Sequence, residues 1–169
     1  QRDNKTFGVV LLSDECLTSP LTFLDDPRCK FLARNYVHPH CLNNPRILHF
    51  GLGFKNHLEH YAQPNNPAEN RKYVWSFSGS LKADREEALQ AFSPYTPNHT
   101  HLVKKFNDPD YLSTQKYADV LNNSQFVLAP AGGASNDSFR IYEALECGAI
   151  PVVMAWKDPL RFAPSYWHA

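Results

Sequence analysis

Between residues 73 and 154 short apolar runs alternate with amphipathic stretches, and this alternation constrains the fold more than any single motif. Residues 73–78 set Tyr73, Trp75 and Phe77 against Val74, Ser76 and Ser78, the period of two that a strand requires. Gly79-Ser80 is expected to break that strand. Residues 83–92 place Ala88, Leu89 and Phe92 on one helical face. A weaker strand is expected over 100–106. Ser113 can then cap a helix that turns Tyr117, Val120 and Leu121 inward and closes at Asn122-Asn123. Residues 125–129 (QFVLA) read as a short buried strand. After the small-residue loop 130–134 come four N-cap candidates, Ser135, Asn136, Asp137 and Ser138, and a helix over 139–147 that stops at Gly148. Residues 150–154 return as a strand, with Pro151 near its start because it lacks an N–H. The pattern predicts an α/β fold, a Rossmann-like parallel sheet with helices on both faces.

The first half is less regular. Residues 6–12 (TFGVVLL) form a continuous apolar run, the mark of a strand covered on both faces, and lead directly into Ser13-Asp14-Glu15. Further strands are expected over 31–37 and 47–50. Residues 56–72 are polar and rich in Pro and Asn, and read as a linker or surface excursion. Ligands of parallel sheets bind beyond the carboxyl ends of the strands. That rule selects the loops after Leu12, Phe77 and Leu128.

Composition narrows the function classes. The 169 residues suffice for one ordinary domain with part of a second. Lys plus Arg number 17 and Asp plus Glu number 17, a balance that argues against nucleic acid and against a polybasic membrane anchor. The apolar run Val9 to Leu12, like every other in the chain, is far too short to span a bilayer. Starting at Gln1 and stopping after Trp167-His168-Ala169, the chain reads as a mature or excised piece. Cys16, Cys29, Cys41 and Cys147 include no C-x-x-C pair, which disfavours a zinc ribbon. Cys147 reads as a small buried thiol; one disulfide among the other three is open, and a metal site from His38, His40 and Cys41 is disfavoured by its spacing. Four Asn-x-Ser/Thr sequons, at Asn4, Asn98, Asn122 and Asn136, point mildly to a secretory compartment such as the Golgi lumen, with any membrane anchor outside this chain.

The chemistry-bearing residues cluster around the loop 131–134. Gly132 and Gly133 let a ligand approach the backbone, and the following helix N-terminus favours an anion such as a diphosphate. An ordinary strand-to-helix connection fits the same spacing. Arg140, in the first helical turn, is unfavourably placed with the helix dipole and needs another partner, which a phosphate would provide. Glu143 sits among Ile141, Tyr142, Ala144 and Leu145, where a carboxylate must be hydrogen-bonded. Vicinal ribose hydroxyls would satisfy both its oxygens, and a surface pair between Arg140 and Glu143 is the plain alternative.

Residues 117–153 resemble the C-terminal nucleotide-sugar-binding half of the exostosin-like glycosyltransferases, family 47. The shared elements are Asn123-Ser124, Pro130, Gly132, Ser138-Phe139-Arg140, Glu143-Ala144, and Gly148-x-Ile150-Pro151-Val152. Arg34-Asn35-Tyr36 and residues 47–53 and 73–79 follow in the order such enzymes use.

The resemblance implies a GT-B architecture: 1–55 as a partial acceptor-side lobe, 56–72 as linker, and 73–169 as the nucleotide-sugar lobe. It implies a transferase that moves a sugar from a UDP-sugar to a glycan acceptor hydroxyl, inverting and metal-independent, with no cofactor beyond the donor substrate. Arg140 would meet the diphosphate, Glu143 the ribose, and a turn at Ser78-Gly79-Ser80 the phosphates from the opposite side. Gly132, Gly133 and Ser138 complete the donor set, and Lys82 and Arg85 would add charge, Arg85 being equally suited to solvent. Asp14 and Glu15, at the end of the first strand, are the candidate bases for the acceptor. Two adjacent carboxylates repel, so a raised pKa at one of them is expected; an acidic strand-end turn reads the same residues without chemistry. Ala131 stands where exostosins commonly carry a basic residue. That departure keeps open a non-catalytic carbohydrate- or protein-binding domain of the same fold.

Overall fold

The computed structural model describes residues 5–37, 41, 44–54, 57–82, 85–105, 108–132 and 137–154. They fall into two compact units that divide between Leu52 and Gly53. The first contains three parallel strands in the order β1 (Phe7–Leu11), β2 (Cys29–Arg34), β3 (Ile47–His49).

In the second unit the periods read from the sequence become β4 (Tyr73–Ser80), α1 (Arg85–Phe92), β5 (Asn98–Val103), α2 (Thr114–Asn122), β6 (Ser124–Leu128), α3 (Phe139–Glu146) and β7 (Ile150–Val152). The four strands are parallel in the order β5-β4-β6-β7. The sheet is therefore doubly wound. Alternate β4 and β6 residues serve opposite faces: Trp75, Phe77 and Leu128 pack with Leu89 and Phe92 of α1. On the other face Val127 joins Ala118 and Leu121 of α2 with Ala144 of α3 and Cys147. This is the Rossmann-like arrangement expected, with helices on both faces. Among the described residues no helix is long and apolar enough to cross a membrane.

Local chemistry explains the element ends. The Ser113 side chain accepts the Lys116 N–H at the start of α2. Gly148 ends α3 in the left-handed region at φ 68°, and a Cβ there would collide with the Pro64 carbonyl. Pro151 lies in β7, an edge strand where its missing N–H is tolerated.

Residues 57–72 are tied into the second unit. Leu58 is buried in the core with the α2 and α3 side chains. The buried Arg71 donates to the carbonyls of Asn66, Leu121, Ser124 and Cys147, stitching this segment to three elements. All four cysteines are free thiols, so no disulfide forms. Burial, followed by the nearby Glu146 charge, pushes the Cys147 thiol up to about 12. His38 and His40, named with Cys41 as metal ligands, lie outside the described residues.

Candidate functional site

In the β5-β4-β6-β7 sheet the winding reverses between β4 and β6, and ligands of open α/β sheets bind at that switch point. Ser78, Gly79 and Ser80 do not form the expected turn. They continue β4, pairing with His101, Leu102 and Val103 of β5. The ladder to β6 stops earlier, at Ser76 opposite Val127. On that side the last residues of β4 have no strand partner in register among the described residues, and a side chain lies there.

That side chain is Arg140. From the first turn of α3 its Nε donates to the Ser78 carbonyl at 3.0 Å, and its guanidinium lies over the Phe77 ring, 5.1 Å from the centroid. It also fills the space beside Gly79, where a Cβ would collide with it. A cation at a helix start, unfavourable with the dipole, is held by a carbonyl and an aromatic face. Arg140 is partly buried.

Arg85 has a different role from the solvated or charge-adding one expected. It is buried and bridges the two strand ends: Nη1 donates to the Ser80 carbonyl at 2.8 Å and Nη2 to the Ala131 carbonyl at 3.1 Å. The bridge sets the small-residue loop against the tip of β4. Lys82 is exposed. Gly132 is half-buried on that loop, and Gly133 lies outside the described residues.

The α3 N-terminus adds donors. Ser138 is the N-cap residue, in an extended conformation with no side-chain cap bond. Its Oγ is buried and has no hydrogen-bond partner among the described residues. A buried hydroxyl without a partner is costly, and an anion at the helix start would satisfy it.

Glu143, one turn further along α3, is buried and so is not the surface carboxylate of the plain alternative. The Tyr117 hydroxyl donates to its Oε2 at 2.9 Å. Burial, then the Glu143 charge, holds the phenol pKa well above its ordinary 10, partly opposed by Arg140. Tyr117 therefore stays a donor across the physiological range. Its hydroxyl carries no sequence signal, because the helical period marks the residue only as inward-facing.

In the first unit Asp14 follows β1. Its Oδ1 accepts the Thr18 and Ser19 N–H groups at 3.0 and 3.2 Å, and its Oδ2 pairs with the buried Arg34 at 3.1 Å. Burial acts to raise its pKa, but the hydrogen bonds from Ser19 and Thr18 and the Arg34 charge outweigh it, and the net shift is downward. The raised value expected from carboxylate repulsion is not found at Asp14, because both oxygens have stronger partners than Glu15. Glu15 is half-buried beside it.

Residues 54–164, about two thirds of the chain, match the family model described as the RXYLT1 C-terminal domain. No curated protein matches the chain.

Proposed function

The chain belongs to the RXYLT1 C-terminal domain family, an exostosin-type glycosyltransferase domain, and we propose that it transfers a sugar from a UDP-sugar to a glycan acceptor hydroxyl. Arg140 carries the reading: a guanidinium, fixed on Ser78 and Phe77, stands where the sheet winding reverses. In this reading the guanidinium and the α3 N-terminus take the diphosphate, with Ser138 Oγ as a further donor. Ser78, Gly79 and Ser80 flank the phosphates from the β4 side, Gly132 and Gly133 let the ligand approach the loop, and Glu143 takes ribose hydroxyls beside Tyr117.

As the anomeric C–O bond breaks, negative charge gathers on the departing diphosphate. A fixed cation and oriented N–H groups stabilise that charge without reorganising, so the proposed reaction is metal-independent, with the donor as substrate and no other cofactor. The acceptor hydroxyl attacks opposite the leaving group and gives its proton to a base, inverting the anomeric centre. This reading keeps Asp14 and Glu15, after β1, as the candidate bases; Asp14 already accepts from Thr18 and Ser19 and pairs with Arg34. A lumenal secretory setting enters this reading through the sequon at Asn98, whose Nδ2 makes an exposed hydrogen bond to the Tyr95 carbonyl at 3.4 Å. The sequon at Asn122 gives it no support, since its buried amide bonds Gln63 and Tyr61; those at Asn4 and Asn136 lie outside the described residues.

One observation favours a second reading, a non-catalytic carbohydrate- or protein-binding domain. Ala131 is buried, so the position where exostosins commonly carry a basic residue presents no charge here. Hydrogen exchange with and without UDP separates the outcomes. The donor reading expects UDP to protect residues 78–80 and 137–141, with UDP released from a UDP-sugar when acceptor is present. Protection without turnover supports the non-catalytic reading, and no protection at either segment rejects the donor site.

A further inference from the structure

The sequence His57-Leu58-Glu59-His60 takes no part in the reaction proposed above. Leu58–His60 forms a single 3-10 turn. Residues three apart eclipse in that geometry, and His57 and His60 accordingly stack, with ring centroids 5.6 Å apart and planes 13° from parallel. Glu59 stands beside them, its Oε1 3.4 Å from His57 Nδ1. One ligand atom from each of the three residues lies within 4.8 Å of the others. Leu58, between them in sequence, is buried in the core. The turn is thus anchored from below while three side chains of metal-binding type remain at the surface.

We propose that His57, Glu59 and His60 bind a divalent cation of the zinc class, with water completing the coordination. Two imidazoles and one carboxylate are the donor set of three-ligand zinc sites, whose Zn–N and Zn–O distances of about 2.0–2.2 Å place tetrahedral ligands about 3.4 Å apart. The imidazole lone pairs lie in the ring planes, so the two rings must turn out of their stack to converge on one ion, and all three side chains are exposed. Nitrogen donors select zinc-like ions over magnesium and calcium, which prefer oxygen cages. A cation shared by the two imidazole lone pairs also draws on Glu59 for charge balance. Stacked imidazoles that were both protonated would repel instead.

The test is calorimetric titration of the full chain with Zn2+, with Mg2+ as the comparison, repeated on His57→Ala, His60→Ala and Glu59→Gln. The expected result is one zinc site, no response to Mg2+, and binding about 10-fold or more weaker in each histidine variant. Because all three residues are exposed, the metal-free melting temperature should be unchanged in the variants, while a given Zn2+ concentration raises it less in each histidine variant than in the wild-type chain. Co2+ supplies an independent readout, through a visible ligand-field band that His60→Ala loses. No zinc binding by the folded wild-type chain, or equal zinc binding by the His57→Ala/His60→Ala double variant, overturns the proposal.

Discussion

The far end of the Arg140 side chain occupies the space that a Cβ at position 79 would need, so the glycine on β4 is what lets the guanidinium lie where it does. Gly79 also holds a φ of 152°, which L side chains rarely adopt. Gly79→Ala is therefore expected to cost about 1–3 kcal/mol of stability and to displace the guanidinium. In an Arg140→Ala background the same substitution should cost less, because the collision is gone and only the backbone strain remains. Thermal denaturation of the two single variants and the double variant measures that coupling.

Tyr117→Phe removes the hydroxyl that donates to the buried Glu143. Leaving a buried carboxylate short of a donor costs roughly 1–3 kcal/mol. The urea midpoint should fall with an unchanged slope, since the fold and its exposed area are kept. A midpoint equal to wild type would show that the hydroxyl is dispensable.

Arg71→Lys keeps the charge but loses the planar fork that serves Asn66, Leu121, Ser124 and Cys147. At least about 2–3 kcal/mol of stability should be lost as buried carbonyls lose their donor. Chemical denaturation followed by tryptophan fluorescence reads this, because Trp75 lies in the core of the same unit.

Asp14 carries a pH signature. Its folded pKa lies below the ordinary 3.8, through hydrogen bonds and the Arg34 charge that outweigh burial. The stability it contributes is thus fully present above that value and is lost as pH falls through the folded pKa. At neutral pH Asp14→Asn should cost roughly 3–5 kcal/mol, because Arg34 is left buried without its counter-charge. The gap between wild type and variant should narrow as pH drops below about 3.8. A gap that stays constant with pH would contradict the ion pair.

Most of the fold was legible because its signals are local. Periods of two and of 3.6 mark β4, α1, α2 and α3, Ser113 announces a cap and Gly148 a stop. Gly79 was misread because composition shows a glycine's cost in a strand but not the β5 pairing that carries the strand past it. Arg140 and Glu143 were legible as a cation at a helix start and a carboxylate among apolar neighbours. Their partners were not. Phe77, Ser78 and Tyr117 lie 63, 62 and 26 positions away and carry no polarity pattern that points to α3. Arg71 and Leu58 sit in a stretch whose polarity hides one buried cation and one buried leucine. Asp14 looked reactive because Arg34, twenty residues on, is invisible to local reading.

The most direct test of the donor site is calorimetric titration of the folded chain with UDP, set beside Arg140→Ala and Arg140→Lys. Charge-assisted hydrogen bonds to a phosphate contribute about 1.5–3 kcal/mol, so Arg140→Ala should bind UDP about 10- to 100-fold more weakly, with Arg140→Lys in between. No UDP binding by the folded wild-type chain, or equal affinity in Arg140→Ala, would contradict the assignment.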